Sequence, residues 1–178
     1  MIAVKFGPQW TLNDFLEMPV GRSTGGEKTL VEPLNRQRVL NFLEAFYSRD
    51  IEAALACCTD DVDFLANAPI DIMPHMGHRR GKAAVREMWS IIYSRYSSMR
   101  YQIATTVAEG DKVAINVRTF FRKRDNDRTV QFDIAVFYTF RGGRIAEIRE
   151  IIDTFDLVQQ VLERDVAADL AGTKPRKT

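Results

Sequence analysis

From Met99 to Ile152 the chain is written as four long segments joined by very short turns. "MRYQIATTVAEG" meets "KVAINVRTFFRKR" across "EGDK", and "DND" then leads into "TVQFDIAVFYTFR". The doublet "GG" leads in turn into "RIAEIREII". Each segment is rich in β-branched and aromatic residues, and each turn in Gly, Asn or Asp. That pattern predicts antiparallel hairpins. No joint is long enough for a parallel crossover, so the four segments must form a meander. The region before them carries helical periodicity. Helices first and a meander after predict an α+β domain, with helices laid on one face of a curved, mostly antiparallel sheet.

The helical part reads as follows. "LNRQRVLNFLEAFYSRD" places Val39, Phe42, Leu43, Phe46 and Tyr47 on one stripe. Asp50 is placed to cap a short helix, "IEAALACC", and "DVDFLANA" follows as a strand. "PIDIMPHMGHRRG" is a loop that holds both histidines of the chain. "KAAVREMWSIIYSRY" is a third helix, with Val85, Met88, Trp89, Ile92 and Tyr96 on its buried face. After the last strand, "DTFDLVQQVLERDVAADL" returns to helix. Residues 1–33 form an arm and linker, with a short helix at "TLNDFLEM" capped by Thr11 and a Gly-rich connector behind it. The domain proper is expected over 34–165, and 166–178 are a basic tail.

Composition excludes several classes. With 25 basic and 24 acidic residues the net charge is +1, against the basic face of a nucleic-acid binder. No apolar window reaches the length of a membrane span, and the first residues lack the pattern of a signal peptide. The two cysteines, Cys57 and Cys58, are adjacent and read as buried reduced thiols. A cytoplasmic protein is expected.

Turn lengths give an estimate of register. If "GG" is a two-residue loop, Arg141 faces Arg144, and Val136 falls opposite Arg149. If "DND" is a three-residue loop, Arg118 falls opposite Ile134 and Asn116 opposite Val136. One face then carries Asn116, Arg118, Phe120, Phe132, Ile134, Val136, Tyr138, Arg149, Ile151 and Asp153, and is assigned to the helices and a pocket. The other carries Val117, Thr119, Asp133, Ala135, Phe137, Ile148, Glu150 and Ile152, and is assigned to a homodimer contact because it is half apolar. A slip of one residue inverts such an assignment. In this register Arg118 lies diagonally across from Asp153, close enough to pair with it.

Three stretches carry a family resemblance. "FYSRDIEAALACCTDDVDF", "RGKAAVREMW" and "FYTFRGGRIAEIREIIDTFDL" resemble, in order and spacing, the SnoaL-like branch of the nuclear transport factor two-like superfamily. The resemblance covers about residues 34–162. It implies a cone: a bent sheet and helices around an apolar pocket, usually in a dimer. Members include ketosteroid isomerases, limonene epoxide hydrolases and polyketide cyclases, so fold does not settle function. In the epoxide hydrolases an aspartate before Phe-Asp-Leu activates water, and Asp153 matches it. Their asparagine two residues before a proline matches Asn67. Their tyrosine, arginine and second aspartate fall at Leu65, Asn116 and Arg118, so that set is not kept. The ketosteroid isomerase base falls at Asn67, its tyrosine near Phe42 and its protonated aspartate near Val136. Standard steroid isomerisation is therefore not expected. A polyketide cyclase needs a single aspartate, the least demanding match.

Asp153 has two readings. It is a pocket base, or it caps the helix that follows it. As a base it would work with Arg118, and the ligand would meet Asn67, Asn116, His75, Trp89, Tyr93, Ile134, Val136 and Ile151. His75 is placed as a general acid at the pocket rim. His75 and His78 are too few for a metal site without a nearby carboxylate. "HRRGK" reads as solvated charge, and Trp89 and Tyr93 are explained as well by core packing as by a pocket. The function expected is acid–base chemistry on a small apolar molecule, of isomerase, cyclase, dehydratase or hydrolase type, without a cofactor. The alternative is a non-catalytic binder of a lipophilic ligand or a dimeric interaction protein.

Overall fold

The computed structural model describes residues 28–172. Five helices and six strands follow in order: α1 (Lys28–Tyr47), α2 (Ile51–Ala56), β1 (Cys58–Ala66), β2 (His78–Arg80), α3 (Gly81–Arg95), β3 (Tyr96–Glu109), β4 (Lys112–Lys123), β5 (Thr129–Arg141), β6 (Arg144–Ile152), α4 (Thr154–Leu162) and α5 (Val166–Leu170). Most of the expected arm, including the "TLNDFLEM" helix, and the last residues of the basic tail lie outside the described residues. Within them α1 already begins at Lys28 and contains Pro33.

The strands form one curved open sheet in the order β2-β1-β6-β5-β4-β3. Strands β3 to β6 are the antiparallel meander their short turns require. β1 enters beside β6 and runs parallel to it. That pairing joins strands about eighty residues apart in the chain, so no turn announces it. Helices α1 and α3 lie on the inner face. The α1 stripe is Val39, Phe42 and Leu43, and the α3 stripe is Val85, Met88, Trp89, Ile92 and Tyr93, all buried. Both follow the i, i+3, i+4 spacing of a helix packed on one side. Aromatic rings knit the two helices together: Phe46 lies 5.4 Å from Trp89 and 5.5 Å from Tyr93, centroid to centroid. Asp50 caps α2 by accepting from the Ala53 N–H at 3.0 Å. Both cysteines are free, and burial pushes the Cys58 thiol up to about 12.

The register corrects the expected faces. Arg141 does face Arg144, but pairing shifts between Thr139 and Phe140, where Ala146 bulges out of β6. Val136 therefore pairs with Glu150 and Ile134 with Ile152. At the other turn Arg122 pairs with Thr129, and the Lys123 N–H donates to Arg128 O. The loop is one residue off the expected closure, with Asp127 in the left-handed region at φ 64°. Arg118 pairs with Asp133 and Asn116 with Ala135. The β5 residues keep their assigned face, while those of β4 and β6 exchange faces. The inner face carries Val113, Ile115, Val117, Thr119 and Phe121 of β4, with Ile148, Glu150 and Ile152 of β6. Asn116, Arg118 and Ile151 point outward.

Candidate active site

The inner face, α1, α3 and the segment after β1 enclose an apolar cavity of about 70 Å³. Space on that scale admits several waters or one compact organic group. Its wall is mainly rings: Phe46, Tyr47, Trp89, Tyr96, Phe121 and Phe132. Residues 67–77 close one side. Turn bonds from Ile72 and Met73 to Pro69 O fold this segment back, and Met73 and His75 are turned inward and buried. Gly77 closes the return at φ +90°, and a Cβ there would stand 2.9 Å from Ile70 Cγ2, so only glycine fits. The Arg79 guanidinium staples the segment by donating to Pro74 O at 2.9 Å and to His75 O at 2.8 Å.

One carboxylate lines this cavity, that of Glu150. It also lines a second, smaller space of about 30 Å³ between α1 and the sheet, so it stands where the two meet. Ile148 and Ile152 flank it on the same face of β6, at 1% and 5% exposure. Among the described residues its carboxylate has neither an ion-pair partner nor a hydrogen bond. Burial alone lifts its pKa from 4.5 to about 7. The Tyr47 and Tyr138 phenols are raised first by their own burial and next by the charge of Glu150, which places both near it. His75 lies across the wall with its Nδ1 buried and unpartnered. Burial, then the positive charges of Arg95 and Arg79, hold its imidazole below the usual histidine range. A carboxyl poised near neutrality in an apolar cavity can both take up and return a proton at physiological pH.

The residues expected from sequence fall in different places. His75, Trp89 and Ile134 line the cavity, and Val136 lines the smaller space. Tyr93 is packing: its hydroxyl donates to Phe46 O at 2.7 Å. Asp153 is exposed and caps α4, its Oδ1 accepting from the Asp156 N–H at 3.1 Å. Arg118 is on the outer face, donating to both oxygens of Asp133 at 3.0 and 3.3 Å, so it and Asp153 do not meet. Asn116 is exposed on that same face, and Ile151 is 53% exposed there. The amide of Asn67 is engaged with the backbone of Ile152, accepting its N–H at 2.8 Å and donating to its carbonyl at 3.5 Å. His78 bonds Asp63 at 2.7 Å, and no group of three or more metal-ligating side chains occurs among the described residues.

Sequence reasoning placed Glu150 on the outer face, because the bulge at Ala146 leaves no mark in the residue pattern. The available signal was the triplet Ile148, Glu150, Ile152: a charge between two isoleucines at strand spacing, on a face otherwise apolar.

This geometry can be set beside known proteins. Residues 39–148 match the model of the SnoaL-like domain, well over half of the chain. The chain belongs to the SnoaL-like family. A crystal structure of a candidate isomerase from Rhodopseudomonas palustris is 31% identical to it, with a TM-score of 0.66, covering 73% of this chain and 97% of that one. An epoxide hydrolase of the limonene epoxide hydrolase type from M. tuberculosis is 18% identical, with a TM-score of 0.62, covering 80% and 98%. A candidate SnoaL-like polyketide cyclase from Jannaschia sp. CCS1 is 12% identical, with a TM-score of 0.65, covering 77% and 97%. The last two speak to the SnoaL-like fold alone. No match is found among the curated proteins. The family match ends two residues before Glu150, so the carboxylate lies just past the matched stretch. No helix among the described residues is long and apolar enough to cross a membrane.

Proposed function

We propose that this SnoaL-like protein is an acid–base enzyme acting on a compact, uncharged, largely apolar molecule, with Glu150 as the proton-transfer group. The observation that carries the reading is an unpaired carboxyl near neutrality, facing a ring-lined cavity. No lysine or arginine lines that cavity, so an anionic ligand has no counter-charge there. The reaction type it suits best is isomerisation through a carbon acid. The Glu150 carboxylate takes a proton from a C–H beside a carbonyl, the electron pair passes into an enolate, and the same carboxyl returns the proton at another carbon. Tyr47, Tyr138 and His75 are the groups at hand to bond the developing oxyanion. Such a step needs no cofactor. The 31% identical relative, named as a candidate isomerase, supports the direction.

The test is deuterium incorporation from D2O into a panel of small cyclic enones and ketones. Wild type should exchange at least one member, and Glu150→Gln should lose that exchange with its fold intact. Equal exchange in both proteins contradicts the reading. The second reading, a non-catalytic binder of a lipophilic molecule, is favoured by the apolar wall itself. It predicts saturable binding that survives Glu150→Gln, with no exchange. In either case we propose that the chain pairs with a second copy through the outer sheet face. There Leu65, Arg149, Phe137, Ala114 and Val107 stand side by side on five successive strands. Leu65, Phe137 and Val107 are 42%, 51% and 58% exposed. A monomer by sedimentation at micromolar concentration contradicts that pairing.

A further inference from the structure

Asn67 stands where β1 stops and the chain turns away towards Pro69. The parallel ladder between β1 and β6 reaches Ala66 and Glu150, and the Asn67 N–H extends it by donating to Glu150 O at 3.2 Å. The next rung has no backbone to make it, yet Ile152 turns both its N–H and its C=O to that side. The Asn67 side chain supplies the rung. Its amide presents an N–H and a carbonyl oxygen side by side, as a peptide group does, and it takes the Ile152 N–H at 2.8 Å while donating to the Ile152 carbonyl at 3.5 Å. Backbone and side chain of one residue thus grip β6 on both sides of Ile151, from the residue that carries the carboxylate to the last residue before Asp153.

We propose that Asn67 is a positioning residue: it replaces the missing rung of the sheet and so holds the end of β6, and with it Glu150, in the cavity wall. It is not a ligand contact, because its amide faces the Ile152 backbone and Asn67 does not line the cavity. This rests on the reading of Glu150 as the reactive group. Asp153 secures the same strand end from the other direction, by capping α4, whose Leu157 lines the cavity. Two polar residues at the junction frame the strand end, and Glu150 stands between them, half-buried and lining the cavity. Without the amide, Ile152 has two unpaired backbone groups, and the water that satisfies them enters the sheet within two residues of Glu150. Hydration returns a carboxyl towards its ordinary acidity.

The experiment is carbon-13 NMR titration of the Glu150 side chain in full-length wild type and Asn67→Ala, with denaturant unfolding of each. The carboxyl of the variant should titrate lower than in wild type by about one pH unit or more. An unchanged titration in a folded but less stable variant means that Asn67 contributes only stability, and overturns the proposal. Amide hydrogen exchange in wild type keeps the test decisive should the variant fail to fold. The Ile152 N–H should be protected as strongly as the neighbouring core of β6, and exchange at an open-chain rate overturns the proposal. A Glu150 that titrates normally already in wild type would defeat the reading of the active site itself, whatever the Ile152 amide shows.

Discussion

The two faces of the sheet treat charge in opposite ways. On the outer face Arg118 meets Asp133, and beyond it Arg149 reaches Asp63 at 3.3 Å, with water close to every partner. On the inner face one carboxylate stands among rings and branched aliphatics with no cation beside it. Paired charge in water is nearly neutral in energy and chemically quiet. Unpaired charge in an apolar wall is expensive, so the group holds its proton up to neutral pH. Residue types alone barely distinguish the two in β6, since both of its faces contain isoleucines and charges and only the spacing of Ile148, Glu150 and Ile152 marks the inner one.

Substitutions can sharpen this contrast, beginning with the inner wall. Trp89, 2% exposed, packs on Phe42 and Phe46. Trp89→Ala should lose about 3–5 kcal/mol in chemical denaturation. A loss below about 1 kcal/mol would mean that the inner face is not a packed core.

The next effect is on pH. Glu150 is raised from 4.5 to about 7 in the fold, so the native state holds a proton that the unfolded chain has released. Its contribution to stability is therefore full below about pH 4.5 and is lost as pH rises through 7. Wild type should lose on the order of 3 kcal/mol between those limits relative to Glu150→Gln. His75, held neutral, acts with the opposite sign at acid pH, and the comparison with Glu150→Gln removes it. Parallel pH–stability curves for the two proteins would break the contrast between the faces.

Smaller effects belong to the exposed positions. Asp153→Ala should lose about 1 kcal/mol through the α4 cap while leaving any turnover largely intact. A complete loss of activity at near-normal stability would restore Asp153 as a base. A double-mutant cycle on Arg118 and Asp133 should give less than about 1 kcal/mol, falling further with added salt.

Much of the fold was legible. The stripes of α1 and α3, the meander and the inner-facing residues of β5 follow from periodicities of 3.6 and 2, which are local. The parallel partnership of β1 and β6 was not, because it joins strands about eighty residues apart. The inward placement of Glu150 was lost to two single-residue events: the bulge at Ala146 and the longer closure after Lys123. Each shifts a whole strand onto the other face. Asp153 drew attention because it ends an apolar strand, but a carboxylate in that place has four free helix N–H groups in front of it, and it takes one. Asn67 drew attention as a match to a ligand-holding asparagine, yet the end of β1 left a backbone rung for its amide to fill. His75 and Trp89 were legible as cavity residues because the loop and the helix that carry them do not depend on sheet register.

The central claim is that the fold has moved the acidity of Glu150, the one carboxylate that lines the cavity. Carbon-13 NMR titration of the side-chain carboxyls in the native protein tests it directly. A Glu150 signal with its midpoint near 7 is the expected result. A midpoint near 4.5, the ordinary value for a glutamate in water, would contradict it.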